Sequence, residues 1–318
     1  MVRLTISCCR WGGGGAVTVR LGPGFSRWCA SALAAALLGV VGCSSAPAAV
    51  RHPAEDAAAY WDRTRLLGAQ PFRLAPRQRP APGQSTDSRT AGPRSGLRVG
   101  ALFEHGPAGN HFCTASVVSS PGKNLLITAA HCINGGKGSS GDDSDIVFIP
   151  DYRDGLEPFG VWTPAKLIVA PQWANSSDPD FDVGFVVLEP NHGRNIEQIL
   201  GASRLGTDQG YQYLVHVTGY PNSENVPITC VNWTSRFSDT QLKFECAGYT
   251  GGTSGSPWVT KFIAGSRTGT VVGVIGGYQE GGDTASLSYS VRFGPAILAL
   301  YRRAVSAEAA AEPTPEAS

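Results

Sequence analysis

Gly251-Gly252-Thr253-Ser254-Gly255-Ser256-Pro257-Trp258 sets a serine among glycines, just ahead of a proline and between strand-like residues. Such a stretch holds one hydroxyl at a tight backbone turn where donors can surround it, so Ser254 is a candidate nucleophile. Taken alone, it also fits a glycine-rich loop between strands. An upstream base and an orienting acid, in a compatible order, decide between the two. Leu125-Leu126-Ile127-Thr128-Ala129-Ala130-His131-Cys132 reads as a strand running into a small-residue turn that ends in histidine and cysteine. Farther on, Pro179-Asp180-Phe181-Asp182-Val183-Gly184-Phe185-Val186-Val187-Leu188 puts Asp182 at the mouth of a strand, where a carboxylate can be half-buried yet stay ionised against an imidazole; Asp180 is its nearest rival.

Around these stretches the texture is that of a turn-rich β protein. The 318 residues are 42% hydrophobic, with Gly 40, Pro 22 and a single Met, enough for a well-buried core and one or two domains. Lys+Arg 26 against Asp+Glu 25 leaves a net charge of +1, which gives no field for nucleic acid or an anionic membrane. After Gly96, short β-rich runs alternate with Gly, Pro, Asn and Asp: 99–103, 112–118, 125–128, 146–150, 166–170, 183–188, 213–220, 228–233, 241–246, 257–260, 270–275 and 286–293. That spacing indicates a sandwich or a barrel. One helix closes the domain, started by Gly294-Pro295 and given an apolar face by Ile297, Leu298, Leu300 and Tyr301. The Ala, Glu and Pro of 305–318 read as a disordered tail.

At the other end, Arg3, Arg10, Arg20 and Arg27 precede an apolar run from Cys29 to Val41 that is too short to span a bilayer comfortably. Residues 1–42 are therefore expected to be an export signal, and the length ahead of the apolar run suggests a true start downstream of Met1. Val40-Val41-Gly42-Cys43 resembles a bacterial lipobox, whose cysteine is lipidated; the alternative is an ordinary cut near Ala46 or Ala49. The stretch 43–96 lacks a sustained apolar period and reads as a mostly disordered linker or pro-segment. One island, 54–67, places Ala57, Tyr60, Trp61, Thr64 and Leu67 at helical spacing, with Glu55 and Asp56 in the first turn. Of eight cysteines, Cys8, Cys9 and Cys29 leave with the signal, Cys43 stands at the boundary, and Cys113, Cys132, Cys230 and Cys246 remain. Four in an exported domain suggest two disulfides. Three pairings are open; the local ones, Cys113 with Cys132 and Cys230 with Cys246, are preferred, each closing a loop worth about 3 kcal/mol in the chain-entropy model.

Thr128-Ala129-Ala130-His131-Cys132 and Gly252-Thr253-Ser254-Gly255-Ser256-Pro257 resemble the histidine and serine motifs of the chymotrypsin-like serine proteases, a resemblance covering 97–304. The Gly-x-Ser-Gly-Ser-Pro form and Val217-Thr218-Gly219-Tyr220-Pro221 are more similar to the bacterial glutamyl endopeptidase branch than to animal trypsins. Residue order agrees. An α/β-hydrolase needs a histidine after the nucleophile, yet the last one is His216. A subtilisin order through His216 is formally available, but subtilisins are α/β proteins and this domain shows almost no helix. The resemblance implies an all-β fold of two six-stranded antiparallel β-barrels with a C-terminal helix. It implies a triad of Ser254, His131 and Asp182, with the N–H groups of Gly252 and Ser254 as the oxyanion hole. It further implies an exported monomeric endopeptidase acting on protein or peptide, secreted or held on the outer face of the membrane through Cys43, with no cofactor or nucleic-acid partner. The same fold without activity, as a cell-surface binding protein, is the alternative.

Several positions depart from the family pattern. Thr253 stands where trypsins carry the aspartate that binds the new N-terminus, so a trypsin-type activation switch is not expected, although removal of 44–95 could still unmask the cleft. Gly276 replaces the serine that usually supports the triad aspartate. Gly248 and Ile275 stand where trypsins carry an acid and glutamyl endopeptidases a histidine; with Gly276 and Leu287 they suggest a small or apolar specificity pocket. His105 and His111 read as structural. No Cys-x-x-Cys or His-Glu-x-x-His is present, so no metal is implied.

Overall fold

A computed structural model describes residues 54–72, 86–92, 96–106, 109–139, 144–208, 210–222 and 225–311. The expected export signal, Cys43 and residues 312–318 lie outside them. Part of the stretch expected as linker is ordered: helices α1 (Ala54–Tyr60) and α2 (Arg63–Gly68), then strands β1 (Gln70–Pro71), β2 (Thr86–Asp87) and β3 (Arg89–Thr90). The expected single helix over 54–67 breaks because the Asp62 carboxylate accepts the Arg65 N–H (2.8 Å) and caps a second helix. The break changes which leucine faces inward: Leu66 is 1% exposed, whereas Leu67 is 40% exposed.

The first sheet is built from β4 (Val99–Gly106), β5 (Gly109–Val118), β6 (Leu125–Thr128), β7 (Ser144–Pro150), β8 (Pro164–Val169) and β9 (Gly184–Leu188). Its order is β7-β4-β5-β6-β9-β8, with β1 parallel beside β5. Phe148 and Trp162 exchange both main-chain hydrogen bonds (2.8 and 2.9 Å), which brings β7 to the lead-in of β8 and curls the sheet on itself. Helices α3 (Pro171–Ser176) and α4 (Ile196–Leu200) occupy its connections. The second sheet takes β10 (Arg204–Leu205), β11 (Leu214–Gly219), β12 (Ile228–Arg236), β13 (Gln241–Ala247), β14 (Pro257–Ile263), β15 (Thr268–Val274) and β16 (Leu287–Val291). Its order is β10-β15-β14-β11-β12-β13-β16, with β2 added to β13 and β3 to β12. Six principal strands per sheet and a C-terminal helix, α5 (Pro295–Ala309), make the expected two-barrel all-β architecture.

Side-chain alternation explains the layering. In β6, Leu126 points into the first barrel among Leu102, Phe148 and Val186. Leu125 and Ile127 face the other way, toward Val271 and Val274 of the second sheet and Ile297 and Leu300 of α5. The strand thus has water on neither face. The second barrel holds its own cluster, including Val217, Phe244, Tyr249, Trp258 and Ile275.

α5 runs to Ala309, into the stretch read as a tail. Its anchor is polar, which an apolar pattern cannot reveal: the buried Glu308 carboxylate accepts the Ser120 hydroxyl (2.8 Å) and the N–H groups of Gly122 (3.0 Å) and Asn124 (2.7 Å). Both disulfides take the local pairing, Cys113–Cys132 and Cys230–Cys246, with sequence separations of 19 and 16.

Candidate active site

β6 ends at Thr128, and the chain turns through Ala130–Cys132 as one 3-10 turn, which orients the His131 ring. The Cys113–Cys132 disulfide ties the residue after that histidine to the neighbouring strand β5. Asp182, at the head of β9, is wholly buried and meets His131 twice: Oδ2 accepts from Nδ1 (2.8 Å) and Oδ1 from the main-chain N–H (3.0 Å). Two bonds to one residue fix both the ring and its backbone. The Gly277 N–H donates to Oδ2 as well (2.8 Å). Gly276 explains itself sterically: a Cβ there would lie 2.9 Å from the Asp182 carbonyl oxygen and 3.0 Å from Oδ2. The support that a serine hydroxyl usually gives comes here from the next residue's backbone. Asp180 is used elsewhere, accepting from Gln241 Nε2 at 2.7 Å.

The serine loop is packed against β5 and β6. Thr114 donates its N–H to the Ser254 carbonyl (2.8 Å) and its hydroxyl to the Gly252 carbonyl (2.9 Å), and accepts the Tyr220 N–H (3.0 Å). Gly255 has φ +82, and a Cβ there would fall 2.0 Å from the Thr114 carbonyl oxygen and 3.1 Å from Ala129 N, so only glycine brings Ser254 this close to the turn that carries His131. Gly252 likewise has φ +86, and its missing Cβ would collide with Phe112 at 2.2 Å. Among the described residues the N–H groups of Gly252 and Ser254 donate to no carbonyl, whereas that of Thr253 is bonded to Thr250 (3.2 Å). The hydroxyls of the neighbours are committed: Thr253 Oγ1 donates to Thr250 O (2.6 Å) and Ser256 Oγ to Thr253 O (2.6 Å). Of the loop's hydroxyls, that of Ser254 is the one left for chemistry, and Thr253 faces inward, away from any partner ion.

The expected specificity residues fare differently. Gly248 (φ +92) has Ser88 against it, 2.5 Å from where a Cβ would be. Ile275 is fully buried in the core of the second barrel, with Gly281 over it, rather than on an open wall. Leu287, which opens β16, is half-buried. Two residues near His131 carry no motif at all. Glu280 sits in a left-handed turn (φ 51); burial raises its carboxyl above the ordinary range, His131 draws it down and Asp182 pushes it up. Phe72, just past β1, has its ring centroid 5.5 Å from that of His131. His131 and Ser254 are only 2% and 3% exposed. Cys113, His131 and Cys132 offer ligand atoms within 4.8 Å of one another, but both sulfurs are spent in the disulfide, so the cluster is no thiolate metal site. Among the described residues no helix is long and apolar enough to cross a membrane.

No family model matches the chain, and no curated protein does. Solved structures do. Protease Anisep from Arthrobacter nicotinovorans is 24% identical with a TM-score of 0.59, over 69% of this chain and 98% of its own. AL20, a thermostable serine protease from an extremophilic microorganism, is 26% identical with a TM-score of 0.60, over 66% and 98%. A Glu endopeptidase is 13% identical with a TM-score of 0.55, over 70% and 97%. With its two mostly antiparallel sheets, one of them curled on itself, and its closing helix, the chain has the chymotrypsin-like fold of these serine proteases.

Proposed function

We propose that this protein is a serine endopeptidase that cleaves peptide bonds through Ser254, His131 and Asp182. The observation that carries the reading is the buried Asp182 carboxylate bonded to His131 Nδ1 at 2.8 Å and steadied by the Gly277 N–H. With the Nδ1 proton on the carboxylate side, Nε2 keeps a lone pair and serves as base. Ser254 Oγ attacks the acyl carbon as His131 takes its proton, and the N–H groups of Gly252 and Ser254 receive the developing oxyanion. His131 then returns the proton to the departing amine. Water, activated by the same imidazole, hydrolyses the acyl-enzyme and restores the serine.

A fluorophosphonate tests this directly, because it phosphonylates only an activated serine. Covalent labelling of the purified protein is expected at Ser254 and is expected to vanish in Ser254→Ala, with peptidase kcat falling by roughly 10⁶-fold. Labelling that persists in that variant would place the nucleophile elsewhere. The two disulfides support export to an oxidising compartment. Lipidation of Cys43 is part of the same reading, checked by a globomycin-sensitive change in mass of the exported protein. Gly248 carries no charge, and Ser88 packs against it, which supports a preference for small or apolar side chains over Lys, Arg or Glu. A peptide library cut mainly after charged residues would contradict it. A second reading, a non-catalytic binding protein on this fold, draws on the near-complete burial of Ser254 and His131. Absence of labelling in a folded protein freed of residues before Gly96 would favour it.

A further inference from the structure

The stretch ahead of the first barrel strand lies along the face of β4, β5 and β7 opposite the barrel interior. Ala101, Phe103, Val147 and Ile149 present that face, and Ala57, Trp61 and Leu66 are buried against it. Polar contacts fix the position: the Tyr60 hydroxyl donates to Asn110 Oδ1 (2.7 Å), and the Trp61 indole N–H donates to the Asp145 carbonyl. Beyond α2, Gln70 and Pro71 run parallel beside His111 and Phe112, and the Phe72 N–H donates to the Phe112 carbonyl at 3.0 Å. This last bond delivers the Phe72 ring to within 5.5 Å of the His131 ring and 6.1 Å of the His111 ring. Attack requires a substrate carbonyl within about 3–3.5 Å of the serine oxygen and room for its amine beside the histidine. With the arm in place His131 and Ser254 are 2% and 3% exposed, and the Phe72 ring takes up space beside the imidazole.

We propose that residues 54–72 are a built-in inhibitor: the arm docks on the first barrel, holds Phe72 against His131 and occupies the edge of β5 that an extended substrate strand would use. A substrate reaches Ser254 once the arm has left. The bond to Phe112 also identifies what this edge accepts, an extended main chain carrying an aromatic side chain beside His131. The catalytic consequence rests on Ser254 and His131 being nucleophile and base; the docking of the arm does not.

The test compares the full chain with Phe72→Ala and with a Trp61→Ala, Leu66→Ala double variant, folding being checked by retention of both disulfides and near-ultraviolet circular dichroism. Carbethoxylation of His131 by diethylpyrocarbonate, read by peptide mass mapping, reports access to the site without requiring catalysis. Both variants are expected to react at least roughly tenfold faster than the full chain. A synthetic peptide of residues 54–72 is expected to slow the double variant again. Fluorophosphonate capture of Ser254 is expected to rise in parallel. Equal carbethoxylation rates in all three proteins would overturn the proposal. Faster carbethoxylation without any capture of Ser254 would uphold the arm and refute the protease reading. If the double variant does not fold, Phe72→Ala decides, since that ring is only half-buried.

Discussion

Single residues show what in the candidate site the sequence carries openly and what it does not. His131 and Ser254 are legible in the sequence because each sits in a run of small residues that folds locally, and Asp182 because it heads an apolar strand. Their supports are not. Thr114 holds the serine loop through its hydroxyl and its backbone, and Gly277 steadies the aspartate through its N–H, which no residue type advertises. Ile275 is harder to place: its position along the chain suggests a pocket wall, and in the fold, one residue past β15, its side chain is buried in the cluster of the second barrel. Glu280 yields a prediction at this scale. A carboxylate near an imidazole favours the imidazolium, and catalysis needs the neutral ring. Glu280→Gln is therefore expected to move the acid limb of the kcat/KM profile to lower pH, by roughly half a unit. The two profiles should converge at low pH, where the wild-type carboxyl, raised by burial, is itself protonated. An unmoved limb would put Glu280 out of electrostatic reach of His131.

Among the elements, strands were easier to read than ends. All twelve runs chosen on alternation and punctuation contribute to strands, and Leu125–Thr128 does so with the same bounds. The last turn of α5 was invisible to that reasoning because its stabilisation is a buried carboxylate gathering donors from a loop far away in sequence. Removing it leaves a hydroxyl and two main-chain N–H groups without the buried acceptor they share. Glu308→Ala is expected to lower unfolding free energy by about 2 kcal/mol or more, measured by urea denaturation with both disulfides intact. A loss below about 0.5 kcal/mol would mean that water replaces the carboxylate at no cost. In the arm, apolar spacing predicts one helix over 54–67; the capping carboxylate of Asp62 divides it and selects Leu66 for burial.

For the whole molecule, the two barrels and the arm share one stability problem, and the ring of Tyr152 sits where they meet, in one cluster with Trp61, Leu66 and Phe103. Burial pushes its hydroxyl from 10.0 up to about 12. A folded-state value raised above the unfolded one stabilises the protein below the unfolded value and loses that contribution as pH climbs through the folded one. Stability is therefore expected to hold to about pH 10 and to fall toward pH 12, with the arm's hold on the barrel falling alongside. Tyr220, buried beside it and raised in the same direction, leaves Tyr152→Phe with a shallower fall rather than none. Chemical denaturation at stepped pH checks this; identical alkaline limbs in wild type and variant would contradict it. The arm and the site belong to one covalent chain, so the arm competes at an effective concentration on the order of millimolar. At that concentration a docking segment of very modest intrinsic affinity keeps the cleft filled. Cutting the chain between them would turn a fixed local concentration into one that dilution sets.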